Sequence, residues 1–136
     1  MKTLRRLLGP EGTATLEMIV VLPTLLFIMF AAVELSRAWL TAHVATSAVR
    51  EGARLAAVTP VAQDPIGTAR SRIIQVLSAA NLTPLNAPTV SCTPAPCAPD
   101  SRVDANVTVR FQTLFPVLLP MLQTKDITET ASMRFE

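Results

Sequence analysis

Cys92 and Cys97 are the only two cysteines of this 136-residue chain, and they flank Thr-Pro-Ala-Pro. Thiols at this spacing suit a structural disulfide closing a small ring, worth about 2 kcal/mol in the chain-entropy model. A redox pair has the tighter Cys-x-x-Cys spacing, and a metal site needs more ligands than these. His43 is the single histidine, which excludes a His-rich metal site; it reads as a surface or half-buried helix residue. Asp126 and Glu129 are close in sequence, but paired acids near a strand are common without catalysis. No Ser stands on a Gly-x-Ser-x-Gly elbow, and the four glycines form no phosphate-binding loop. The expectation is a protein that is not an enzyme and carries no cofactor, no metal and no small-molecule substrate.

The remaining chemistry lies near the N-terminus. Gly12 is followed by Thr13-Ala-Thr-Leu and then Glu17, a lone acid at the start of a long apolar run. Cleavage after Gly12 would make Thr13 the first residue and Glu17 the fifth. A carboxylate at mid-bilayer costs about 2.5–3.5 kcal/mol on insertion scales, and less near the edge. Two readings of Glu17 stand side by side. Its carboxylate snorkels to water at the membrane boundary, or it pairs with the freed α-amino group of Thr13 on a neighbouring subunit.

The element that must position these residues is Gly12–Val33, the one stretch able to cross a bilayer. As a helix, Met18–Val33 covers about 24 Å and Ala14–Leu35 about 30 Å, the thickness of a hydrocarbon core. Lys2, Arg5 and Arg6 precede it, so the N-terminus is expected in the cytoplasm and the bulk of the chain outside. Gly9-Pro10 is expected to break the helix and leave Pro10–Gly12 extended. A secretory signal cut near Ala38 fits less well, because the site Ser36-Arg37-Ala38 has Arg at its centre and the run is long.

Half of the residues are apolar and only 16% are charged, against a usual quarter. The length allows one small domain beside the span. The formal charge of +2, with no basic stripe interleaved with aromatics, argues against nucleic acid.

No Pro lies between Pro23 and Pro60. Leu35, Ala38, Ala42, Ala45, Val49, Gly52 and Ala56 recur at helical spacing as a narrow, small-residue face. Arg37, Thr41, Ser47, Arg50, Glu51 and Arg54 lie mainly off it. Glu34/Arg37 and Glu51/Arg54 are spaced to pair along the helix. Trp39 stands where Trp marks a membrane interface. The spacing predicts one helix over 13–58, with its span at about 16–35, after a leader at 1–12. An outer domain follows at 59–136. Within it, Asp64 caps a second helix with Pro65 at its first position, and Ile66, Ala69, Ile73, Leu77 and Ala80 form its apolar face.

Asn81–Pro99 carries five prolines and no charge, so it is loop with a short strand at Thr89–Cys92. Val103–Phe111 alternates cleanly and is the clearest strand. Ile127–Phe135 alternates again, with Glu129 falling on the inward face. Asn81-Leu-Thr and Asn106-Val-Thr match the glycosylation sequon, a short motif that arises by chance. The fold class is α+β: a long helix, a shorter one and about three antiparallel strands. Between the last two strands runs LFPVLLPML, Leu114–Leu122, too apolar for an ordinary loop. Leu114, Phe115, Pro116, Leu118 and Leu119 are its partner-binding candidates, beneath the sheet, in the bilayer surface or on another protein.

The stretch GTATLEMIVVLPTLLFIMFAAVELSRAW is similar to the N-terminal segment of the TadE-like family of tight-adherence (Flp pilus) systems. The shared features are Gly12 before the cut, the small residues Thr13–Thr15, Glu17, Leu22-Pro23, Glu34 and Arg37. AVREGARLAA, Ala48–Ala57, resembles the family's small-residue Arg-Glu-Gly-Ala-Arg segment, and ASMRFE, Ala131–Glu136, resembles its C-terminus. Met18 departs from the aromatic often found beside the fifth-position Glu. The resemblance implies a prepilin-like pseudopilin or minor pilin of the bacterial inner membrane. It would be cut after Gly12 by a prepilin peptidase and work with other pilins and inner-membrane pilus assembly proteins. The competing reading is an uncut, signal-anchored module that recruits a periplasmic partner through Leu114–Leu122; a secreted soluble protein is the third.

Overall fold

The structure, a computed structural model, describes residues 10–114 and 124–135, with side chains from Glu17 onward. The basic leader residues Lys2, Arg5 and Arg6, and the candidates Phe115, Pro116, Leu118 and Leu119, lie outside the described residues.

Helix α1 runs over Pro10–Val58 without interruption. It begins earlier than the sequence suggested, and Pro10–Gly12 are helical, not extended. The reason is that Pro stands first in the helix, where its fixed φ suits the turn and its missing N–H would have had no intrahelical partner. Pro23 lies inside the helix. It removes one backbone hydrogen bond, and next to it Thr24 donates its hydroxyl to the Val20 carbonyl at 2.8 Å. The most apolar 18-residue window of Glu17–Val58 has a mean hydropathy of 2.4 and is almost wholly exposed. By length and composition α1 is a candidate membrane span.

A 3-10 turn, Val61–Gln63, leads to α2, Pro65–Ala79. Asp64 caps α2 as expected, its side chain accepting from the Gly67 amide at 3.0 Å, and Pro65 follows it. Pro65, Ala69, Ile73 and Leu77 are buried, whereas Ala80 lies past the helix end and is exposed. Three strands then form one antiparallel sheet in the order β1-β2-β3: Thr89–Thr93, Arg102–Gln112 and Thr124–Arg134. The fold is α+β, with both helices on one face of the sheet.

Burial follows the alternation of β2. Val103, Ala105, Val107, Val109 and Phe111 are buried, and the intervening residues face outward. Each fully buried valine contributes about 1.5–3 kcal/mol. They pack with Ala45, Ala48, Val49, Ala53 and Ala56 of α1 and with Ala69, Ile73 and Leu77 of α2. Alanines on α1 let the sheet and α2 approach its backbone closely. At Gly52 the approach leaves no room for a side chain: an added Cβ would lie 2.5 Å from Ile73 Cγ1.

β3 starts three residues before the alternation does, because Thr124, Lys125 and Asp126 pair with Gln112, Phe111 and Arg110 at the end of β2. Of its expected inward residues, Ile127 and Ala131 are half-buried, Met133 is exposed and Phe135 is buried just past the strand. Glu129 lies opposite Val107, on the helix side of this edge strand, and is half-buried. An inward-pointing charge on an edge strand discourages a further strand from adding there. β2 is covered on its other side as well: β1 pairs with Arg102–Asn106, and Pro84 bridges to Val109.

Candidate functional site

The candidate processing residues lie along the first turns of α1. Gly12 and Thr13 are in the helix, and Glu17 is exposed on it. Above Glu17 the apolar side chains Met18–Phe27 are exposed on every side. This pattern suits a lipid solvent and no protein core.

The contact that joins the exposed apolar half of α1 to the domain begins at Glu34. Its side chain is 1% exposed. Arg37 Nη1 donates to both carboxylate oxygens at 3.3 and 3.4 Å, and the Leu114 amide donates to Oε1 at 2.7 Å. A buried carboxylate requires partners of this kind, since an unpaired one costs several kcal/mol. The Arg37 guanidinium also lies over the Phe111 ring, 5.6 Å from its centre, in a cation–π contact. One arginine thus joins the carboxylate on the helix to the aromatic at the base of β2, and the carboxylate takes hold of the backbone where β2 ends. Beside this contact, Arg37, Thr41, Leu82, Pro84, Arg110 and Phe111 line a cleft of about 410 Å³.

The Glu34–Arg37 pair was legible; the burial of Glu34 and its long-range partner Leu114 were not. The small-residue face lies slightly rotated from the expected one. Leu35 is 66% exposed, and Thr41, expected off the face, is buried. Extending the stripe downward from Ala48 through Thr41 in steps of seven lands on Glu34, which is the signal that identifies it. Glu51 likewise pairs across to α2: Arg72 Nε donates to Glu51 Oε1 at 2.9 Å, in place of the expected Arg54 pair. Both side chains are well exposed, so this pair contributes about 0–1 kcal/mol.

Cys92 and Cys97 lie at disulfide-bonding distance, their Cα atoms 5.1 Å apart. His43 is exposed and meets Trp39 edge-on, ring centres 5.6 Å apart. Among the described residues no group of three His, Cys, Asp or Glu is placed to hold a metal. Asp126, at the base of β3, accepts from Arg110 Nε at 3.0 Å. That hydrogen bond, reinforced by the opposite charge, holds the Asp126 carboxyl below the usual range and raises Arg110. Leu114 is 61% exposed.

Residues 12–54 match the TadE-like protein family. The match begins at Gly12, the residue before the expected cut, and takes in Glu17, Glu34, Arg37 and Arg50-Glu51-Gly52-Ala53-Arg54. It covers most of α1 and none of the sheet. No curated protein and no solved structure matches the chain. The TadE-like segment therefore holds both halves of the geometry described above, the exposed apolar helix and the buried carboxylate that ties the sheet to it.

Proposed function

We propose that this chain is a prepilin-like pseudopilin or minor pilin of the bacterial inner membrane, acting in assembly of a tight-adherence (Flp) pilus and secretion apparatus. The observation that carries the proposal is that the TadE-like match opens at Gly12 and includes Glu17 at the spacing a cut after Gly12 requires. In this reading a prepilin peptidase removes the leader and exposes the amino group of Thr13. Glu17 then pairs with the new N-terminus of a neighbouring pilin or pseudopilin. The amino group and the carboxylate neutralise one another in the lipid, which lowers the cost of carrying either there.

Above the membrane, α1 serves as the spine on which the outer sheet is mounted, and the N-terminal end of the chain faces the cytoplasm. Inner-membrane pilus assembly proteins are the expected partners, with the exposed apolar surface of α1 from Met18 to Met29 as the packing surface. Peptide mass spectrometry of the membrane-bound protein tests the reading. In cells with the matching peptidase, the first residue should be Thr13. An intact Met1–Gly12 in such cells would overturn it.

A further inference from the structure

One side of α1 keeps a regular spacing past the end of the apolar run. Ser36, Leu40, His43, Ser47, Arg50 and Arg54 follow one another at alternating steps of four and three, and all are exposed. The same steps continue downward through Val33, Met29, Leu26 and Leu22, which are exposed as well. Lower down, α1 is bare nearly all round, so the upper residues single out this line. A repeat averaging 3.5 residues is the seam along which one helix winds onto another. The sheet and α2 pack on the alanine face instead, and among the described residues nothing covers the seam.

The seam ends in two arginines. Arg50 and Arg54 are one turn apart, and neither has a hydrogen bond or ion pair among the described residues. Glu51, the acid between them in sequence, is held by Arg72 of α2. Arg50 lies about 25 Å along the helix from Val33, whereas a headgroup layer is about 5–8 Å deep. Phospholipid therefore does not reach the pair, and a counter-charge has to come from another protein. A second copy of this chain does not supply it. Anchored in the same bilayer with the same orientation, its α1 would stand at the same height, and identical seam positions meet in a parallel pair. Arg50 would face Arg50 and Arg54 would face Arg54, a juxtaposition that suppresses the wrong partner.

We propose that this seam docks one α-helix of a different membrane-anchored protein, apolar alongside Leu22 to Leu40 and carrying Asp or Glu at the level of Arg50 and Arg54. The two arginines select the partner by excluding a second copy. The inference rests on α1 crossing the bilayer and narrows the partner class of the pilin reading; cleavage after Gly12 is not required for it.

The test uses the full chain and, as its probe, the full chain with Arg50→Glu and Arg54→Glu. Both carry Thr130→Cys, at an exposed position of β3, for donor and acceptor dyes; the native cysteines are paired. In phosphatidylcholine vesicles, energy transfer should show wild type and probe associating about 3–10-fold more tightly than either does with itself, since exposed ion pairs are individually modest. About 0.5 M salt should reduce that preference to within about twofold. Reversing Arg70 of α2, which is exposed and off the seam, should give no preference. Wild type pairing with itself as tightly as with the probe overturns the proposal, and so does an equal preference from Arg70→Glu. If the reversed chain does not fold, Arg50→Gln with Arg54→Gln replaces it: this variant should self-associate more tightly than wild type, and equal self-association overturns the proposal. In native membranes, a photo-crosslinker at position 47 should join α1 to a helix of another protein with Asp or Glu within about two turns of the joined residue. A join to this chain's own α1, to a segment without such acids, or to no protein overturns it. Any of these failures in a chain that begins at Thr13 leaves the pilin reading standing. An intact leader with the seam preference kept overturns that reading and leaves this one.

Discussion

Replacing Gly52 by Ala separates the geometry of the α1–α2 crossing from helix propensity. A Cβ at this position would lie 2.5 Å from Ile73 Cγ1, 2.8 Å from Cδ1 and 3.3 Å from the Ala69 carbonyl oxygen. Carbon atoms rest at about 3.5–4.0 Å, so roughly 1 Å must be found. Ile73 is fully buried, in an interior of the usual close packing. Either its side chain leaves its rotamer, at about 0.5–1.5 kcal/mol, or α2 shifts, at the usual overpacking cost of about 1–3 kcal/mol. Ala is favoured over Gly in a helix by about 1 kcal/mol, so the net loss for the single change is about 0–2 kcal/mol.

The size of that net loss decides little, but its dependence on Ile73 decides a great deal. Ile73→Ala removes both clashing atoms and alone costs about 2–5 kcal/mol. In that background Gly52→Ala should become stabilising, by up to about 1 kcal/mol. The double-mutant cycle should therefore give a coupling of about 1–3 kcal/mol. Urea unfolding of the full chain in detergent, followed by circular dichroism, measures all four proteins. An equal effect of Gly52→Ala in both backgrounds would refute the close crossing.

Glu34→Ala should cost about 1–3 kcal/mol, since it strips the acceptor from the Leu114 amide and the partner from Arg37. Glu34→Gln should cost less; hydrogen exchange at the Leu114 amide should accelerate in the Ala variant and change little in the Gln variant. Asp126 has its folded-state pKa lowered, so its contribution is present above the ordinary carboxylate range and is lost as pH falls through the folded value. A carboxyl titration by NMR should find Asp126 below the usual range and return it there in Arg110→Gln. Glu129→Val should promote association through β3 by removing the inward charge, seen as a concentration-dependent increase in mass by light scattering; an unchanged mass would count against an edge-protecting role.

The elements that read most clearly in the sequence are those governed by local rules. The alternation of Val103 to Phe111 followed from period-two burial, and Asp64-Pro65 from the chemistry of a helix start. The long helix was legible because nothing between Pro23 and Pro60 stops one. Its beginning was misread because Gly9-Pro10 serves equally as a breaker and as a first turn, a choice that the residues around Pro10 do not make locally. The site was only half legible for a related reason. Glu34 and Arg37 are neighbours on one helix, whereas the Leu114 amide lies 80 residues away, and a backbone donor leaves no mark in a side-chain pattern. Glu51 found Arg72 instead of Arg54 because α2 crosses above it, which depends on how two helices meet.

The proline-free upper part of α1 has a mechanical consequence. From Glu34 to Val58 it is about 36 Å long, and the sheet is fastened to it both along its alanine face and at its foot. A change of 10° in the tilt of the span, well within the range that transmembrane helices adopt, would swing the upper end by roughly 6 Å. The foot at Glu34 would hardly move. If the lower half crosses a bilayer, as proposed, the chain has the shape of a lever with its fulcrum at the foot of the sheet, where Glu34 holds Leu114.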